Sequence, residues 1–282
     1  MNNIGIEYLL DIDGKHIVSE KRNYYRLTSM MEVVKEHTKK KIGSVVLYGG
    51  LQYGNPQSNV SFRWWHLPGT KEEVEAISAI LLSKKIRYEL FDGEIGTEES
   101  FKAMNGAKKD VIHISTHSFY WTESEMARIG LGTPSFMQDS INDAPQEDQV
   151  LSRAGLLFAG AQKAFNGEVI PTGAEDGVLT AMEISKMDLS GTDLVVISAN
   201  NSGLGLQQGF KKAGVQSIVM SLWEVDDTAT KVMMTRFYEN LAKGKSKYDA
   251  FREAQNYLRK YDKGRYDEPE YYAAFVLLDA IR

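Results

Sequence analysis

Cysteine is missing altogether from this 282-residue chain. That excludes disulfides, thiolate metal sites and a thiolate nucleophile in the chain as it stands. Histidine is scarce: the five are His16, His37, His66, His113 and His117, and none stands in HExxH spacing or beside a carboxylate set suited to zinc. No structural metal and no cofactor is expected. Proline is limited to 6 residues while 43% of the chain is hydrophobic and 25% charged, which is a globular composition rather than a disordered or fibrous one. Positive charge is not in excess. A net charge of −5 gives no general reason to bind nucleic acid or an anionic membrane, and the run Lys39, Lys40 and Lys41 reads as a solvated helix end. No apolar run approaches the roughly 18 residues of a membrane-spanning helix. The opening MNNIGIEYLLDIDG has no basic-then-apolar signal pattern, so the expected location is cytoplasmic.

What is present is an alternation of β-rich runs and amphipathic helical stretches, the pattern of a mainly parallel sheet covered by helices. SVVLYGG (44–50) reads as a first buried strand. PGTKEEVEAISAILLSKK has a proline start signal and places Val74, Ile77 and Leu81 on one helical face. RYELFDG reads as a strand, 97–107 as a helix, and DVIHISTHSFYW as another strand. Residues 122–150 form a long irregular stretch, with acidic QDSINDAPQEDQ as the place for any boundary. Beyond it GLLFAGA, DLVVISA and QSIVMSLW read as strands, and TAMEISKMDL, LGLQQGFKKAG, DDTATKVMMTRFYENLAKG and KSKYDAFREAQNYLRK as helices. YYAAFVLLDAI closes the chain as a strand or a helix. Ahead of the array, about residues 1–42 are expected to form a strand pair and a helix over SMMEVVKEHTKK.

Ligands of an open parallel sheet bind beyond the carboxyl ends of its strands. Two strands end in polar clusters there: VIHIS runs into Thr116-His117-Ser118, and LVVIS into Ala199-Asn200-Asn201-Ser202-Gly203. If those strands are neighbours, His117 faces the asparagine turn, where it is either a general base or acid or a structural histidine at a strand end. His113 reads as a packed histidine. Asn200 and Asn201 taken alone are good turn residues. Ser198 and Ser202 are seryl candidates for which no base or oxyanion hole is evident from spacing.

VIHISTHSFY, GVLTAMEISKMDLSGTDLVVISANNSGLG, the block GFKKAGVQSIVMSLWEVDDTATKVMMTRFYENLAKGKSKYDAFREAQNYLR and the closing YYAAFVLLD resemble successive blocks of the CHAT domain. PGTKEEVEAI resembles an earlier one. The likeness covers about residues 44 to 282 and is looser before. It implies a CHAT domain over 44–282 with residues 1–43 as a strand and helix extension packed on it. The implied fold is α/β, a caspase-like three-layer arrangement with a mainly parallel central sheet flanked by helices, related to caspases and separase. The implied chemistry is a Cys–His dyad that cleaves peptide bonds.

Carried over residue by residue, the family's histidine falls on His117 and its cysteine, usually in S-A-C-x-T-G, on Asn200. A carboxamide offers no comparable nucleophile, so the expectation is a pseudopeptidase that binds a peptide or protein in a caspase-like groove. A cysteine endopeptidase seen as a Cys-to-Asn variant, or a scaffolding module of a larger protein, are the alternatives. The family's glycine after histidine is Ser118 here, where the backbone N–H is implied to line the oxyanion hole. SLWEVDD follows the strand beside the nucleophile strand, so Trp223 is expected either to wall a side-chain pocket or to pack in the core. Glu224 or Asp226 is expected to receive a basic side chain, with helix capping as the competing role for Asp226.

Overall fold

The computed structural model describes residues 6–9, 12, 17–35, 41–54, 66–122, 150–199 and 203–281. The strands are β1 (Ser44–Leu51), β2 (Arg87–Gly93), β3 (Val111–Ser115), β4 (Ser118–Tyr120), β5 (Ala154–Leu157), β6 (Val178–Thr180), β7 (Leu194–Ser198), β8 (Ser217–Ser221) and β9 (Phe275–Leu278). The helices are α1 (Val18–Lys21), α2 (Pro68–Ser83), α3 (Glu98–Lys102), α4 (Gln162–Phe165), α5 (Ala181–Ser185), α6 (Gly203–Lys212), α7 (Asp227–Ala242), α8 (Lys247–Lys260) and α9 (Pro269–Tyr272).

Six strands form one sheet in the order β2-β1-β3-β7-β8-β9. All neighbours pair in parallel except β9, which runs antiparallel to β8. The central strands are apolar on both sides because both faces are covered by helices. Alternation divides their side chains: Val45 and Leu47 of β1 join one core with Val74, Ile77 and Leu81 of α2 and with Met233, Phe237 and Phe251 of α7 and α8. Val46 and Tyr48 join the other with Phe101, Ile184, Leu206 and Phe210. Each such fully buried side chain contributes about 1.5–3 kcal/mol through removal from water. The closing segment resolves into a short helix, α9, and a strand, β9.

The expected strand over DVIHISTHSFYW is interrupted. β3 stays in the large sheet, whereas β4 pairs antiparallel with β5 in a three-stranded sheet β4-β5-β6. The break falls at Thr116 and His117 because their polar groups are satisfied across the gap: the Thr116 hydroxyl donates to the Leu157 carbonyl at 2.5 Å, and the His117 carbonyl accepts from Leu157 N–H at 3.0 Å. The helix expected at 97–107 is shorter, capped by Thr97 and stopped ahead of Gly106, whose φ is +74°.

The amino-terminal residues differ from the expected strand pair and helix. Among the described residues, Met30–Val34 is a 3-10 turn capped by Ser29, and the strand-like contact there is one parallel bridge from Arg26 to Leu278. Within Met30–Val34 it is Glu32, not the apolar residues, that faces inward: its carboxylate pairs with Lys35 at 2.5 Å and lies 3.7 Å from Lys211, while Met30, Met31, Val33 and Val34 are exposed. Residues 36–40 lie outside the described residues. Asp279 ties this segment to the sheet by accepting from Thr28 N–H at 2.7 Å and pairing with Lys211 at 2.9 Å.

Candidate functional site

β3 and β7 are adjacent and parallel, and their register pairs Ser115 with Ser198. Chain positions 117 and 200 therefore each lie two residues past the last matched pair of neighbouring strands. Asn200, Asn201 and Ser202 lie outside the described residues, as does 123–149 of the long stretch.

His117 is half-buried at the break after β3. Its ring packs on Tyr53, with centroids 4.9 Å apart and planes at 57°, and its backbone N–H donates to the Tyr53 hydroxyl at 3.3 Å. That hydroxyl also meets Thr116 Oγ1 at 2.8 Å. Burial pushes the Tyr53 phenol up to about 12, against its hydrogen bond to Thr116 Oγ1 and the one it accepts from His117 N–H, so Tyr53 stays neutral and acts as a fixed seat for His117. Sequence reasoning missed Tyr53; the signal available was its place two residues past β1, at the same carboxyl edge. Ser118 opens β4 opposite Leu156. Gly203 begins α6 with φ +56°, and a Cβ there would lie 3.1 Å from the Tyr120 ring, so this close approach requires glycine.

The three residues expected to line a side-chain pocket are placed differently from one another. Trp223 packs against the α7–α8 core and donates its indole N–H to the Glu270 carbonyl at 2.8 Å. Glu224 is exposed. Asp226 is the N-cap of α7, accepting from Ala229 N–H at 2.9 Å. The neighbouring Asp227 instead borders a cleft of about 40 Å³ at the carboxyl ends of β3, β7 and β8, whose wall also includes Glu73, Ser115, Thr116, Ser198 and Ala199. Partial burial raises the Asp227 carboxyl above its ordinary range, and the negative charges of Asp226, Glu73, Glu224 and Glu72 add to it.

Glu73 is 3% exposed. Its Oε2 accepts from Ser115 at 2.7 Å and from Ser198 at 3.0 Å. Its Oε1 is 3.2 Å from His113 Nε2, too poorly aligned for a hydrogen bond. His113 is fully buried beneath the cleft, with Nδ1 3.1 Å from the Tyr238 hydroxyl, the packed position expected of it. Nothing in the sequence around Glu73 marked it, because a glutamate on a helix that also carries Glu72 and Glu75 reads as solvated surface.

One further group of carboxylates among the described residues, Glu98, Glu175 and Glu183, is close enough to share a cation. That place is filled by the protein itself: Lys102 Nζ lies 2.7, 2.6 and 2.8 Å from the three. No helix among the described residues is long and apolar enough to cross a membrane.

The fold resembles that of a solved cysteine proteinase, the Arg-specific gingipain R (RgpB), at TM-score 0.50 and 8% identity over 84% of this chain and 46% of that one. RgpB in the complex of its pro- and mature domains from Porphyromonas gingivalis matches likewise, at TM-score 0.50 and 8% identity over 84% of this chain and 47% of that one. The chain thus spans about half the length of the proteinase chains it matches. No curated protein sequence matches. The mainly parallel six-stranded sheet between helical layers is a caspase-like α/β fold, and the CHAT domain model matches residues 1–280. With nearly its whole length matched, this chain belongs to the CHAT domain family.

Proposed function

We propose that this chain is a pseudopeptidase: a caspase-like domain that lacks the nucleophile of its family and acts by binding a peptide or protein partner in the cleft beside His117. The observation that carries this reading is the absence of cysteine from all 282 residues, because no choice of alignment then supplies a thiolate. Asn200, at the position matched to the family cysteine, has a carboxamide that does not ionise to a nucleophile. Loss of the nucleophile of such a dyad removes on the order of 10⁶ in rate in a well-studied serine protease. Binding needs only the cleft, and the cleft is built from the ends of β3, β7 and β8 and the starts of α2 and α7.

The reading is tested by incubating the unmodified chain with a fluorogenic peptide library. No turnover is expected; turnover that disappears in His117→Ala overturns it. A second reading, a cysteine endopeptidase whose active form carries Cys at 200, is favoured by the matching offsets of positions 117 and 200 and by the fixed seat that Tyr53 provides for His117. Asn200→Cys separates the two: His117-dependent cleavage supports an intact machinery, and silence supports a site given over to binding.

A further inference from the structure

The two edges of the main sheet are finished differently. β9 is covered: Arg26 bridges Leu278, its carbonyl accepts from Asp279 N–H at 2.9 Å, and Asp279 in turn holds Thr28. β2, at the other end of the strand order, pairs with β1 on one side, and no strand among the described residues pairs with it on the other. Open edges are usually blunted by shortness, proline, a bulge or inward charge. β2 runs over seven residues without proline, and its pairing with β1 is regular from Arg87 to Phe91. Its side chains are ordered by charge: Lys84, Lys85 and Arg87 stand at the start, and Glu89, Asp92 and Glu94 at the finish. A second copy added parallel and in register would set like charge against like. Added antiparallel, it sets the basic start of each strand against the acidic finish of the other.

We propose that β2 is an interface with a second copy of this chain: the two β2 strands pair antiparallel about a two-fold axis at Tyr88, and one sheet runs through both copies. Directly opposed residues of an antiparallel pair share a face, so a two-fold axis perpendicular to the sheet falls on a residue, and the choice of residue fixes every pair. An axis at Glu89 opposes that carboxylate to its own copy. An axis at Leu90 opposes Glu89 to Phe91 and leaves the charges unmatched. An axis at Tyr88 opposes Arg87 to the partner's Glu89, and Glu89 to the partner's Arg87. Lys109 takes Oε1 of Glu89, which leaves Oε2 for the partner's guanidinium.

The same axis aligns Ile86 with the partner's Leu90 on the α2 face, on either side of the Tyr88 pair. All three are only partly buried in a single copy, packed at the margin of the α2 core, so a partner's matching row completes their burial. Leu82 and Ile95, 68% and 59% exposed, flank the two ends of β2. Reversing the strands brings the end that carries Leu82 in one copy to the end that carries Ile95 in the other. It also points the carboxyl edges of the two sheets in opposite directions. The cleft at β3, β7 and β8 lies away from the seam, so the pair presents two clefts on opposite sides.

The experiment is sedimentation velocity on the full chain over a range of concentrations, where a reversible dimer is expected. Arg87→Glu sets carboxylate against carboxylate at both symmetric positions and is expected to weaken the dimer about tenfold, and Glu89→Arg to act likewise. The double variant Arg87→Glu/Glu89→Arg exchanges the charges and is expected to regain the affinity of the unmodified chain, a rescue that a merely perturbed fold would not give. The absence of cysteine supplies a second measurement. On the axis, Tyr88→Cys places two thiols opposite each other and is expected to form a disulfide-linked dimer under mild oxidation, whereas Leu90→Cys, displaced from the axis, is not. A monomer at the highest concentration reached overturns the proposal and leaves β2 to a strand from a different protein. A dimer indifferent to both single charge reversals, single losses that the double variant does not restore, or cross-linking at Leu90→Cys in preference to Tyr88→Cys overturns it as well.

Discussion

Two clusters of carboxylates sit on opposite faces of the main sheet, and they are balanced in opposite ways. On the α3–α5 side, Glu98, Glu175 and Glu183 surround Lys102, and the buried Glu98 also accepts from Gly177 N–H at 2.8 Å. On the α2–α7 side, Glu73 is held by the Ser115 and Ser198 hydroxyls and lies 3.2 Å from the buried His113 ring, while Asp227 borders the cleft with no Lys or Arg among the described lining residues. The first cluster carries its own counter-ion and fastens α3 to the segment leading into β6. The second holds its negative charge at a strand-end opening. A closed cluster of this kind stabilises the fold, whereas an open one is suited to a ligand's charge.

The largest test of that contrast is Lys102→Met. Removing the ammonium leaves the partly exposed Glu175 and Glu183 without their counter-ion beside the buried, proton-holding Glu98, and leaving such groups unsatisfied costs about 1–3 kcal/mol. Chemical denaturation should show a loss of that order, against a change of a few tenths for Asp227→Asn. Equal effects of the two substitutions would erase the distinction between the clusters.

The closed cluster should also be the more pH-sensitive of the two. Burial first, and then the charge of Glu183, raise the Glu98 carboxyl from its ordinary 4.5 to about 8. The folded state therefore holds this proton more tightly than the unfolded one. The associated stability is fully present below pH 4.5, declines as pH rises, and is lost by about pH 8. One proton sets a slope of at most about 1.4 kcal/mol per pH unit. Glu98→Gln should flatten the decline in unfolding free energy between pH 5 and 8; a wild-type profile that rises over this window would refute the assignment.

The layers were legible because they follow from simple periodicities: the strand runs at 44–50, 193–199 and 216–223, and the α2 face of Val74, Ile77 and Leu81, all appear in register. His117 could be singled out because it ends a strand whose neighbour ends in SANNSG. The cleft was harder to read. Its acids come from α2 and the start of α7, 154 residues apart, and only the tertiary packing brings Glu73 under Ser115 and Ser198. The break between β3 and β4 was invisible for the same reason, since Leu157 and Tyr53, which satisfy Thr116 and His117, are distant in the chain. At the amino end the helical pattern did not show that Glu32, beside Lys35 and Lys211, is the residue that faces inward.

The smallest contrast lies within the pair Asp226-Asp227, of which the sequence singled out Asp226 as either an acceptor for a basic side chain or a helix cap. Asp226 accepts from Ala229 N–H, satisfying one of the donors that the first turn of α7 would otherwise leave unpaired. Asp226→Ala should therefore cost about 1 kcal/mol, the usual loss on removing an N-cap. Asp227 is raised by partial burial and by four nearby carboxylates, so neutralising it relieves repulsion in the folded state. Asp227→Asn should leave stability unchanged or raise it by about 0.3 kcal/mol at pH 7, a size typical of surface substitutions. Because the folded state favours the protonated form of Asp227, the gain should shrink as pH falls toward the ordinary carboxylate range. Paired urea titrations at pH 7 and pH 4 measure both. Two equal losses would show Asp227 to be a second structural cap, tied to α2 at Gly69.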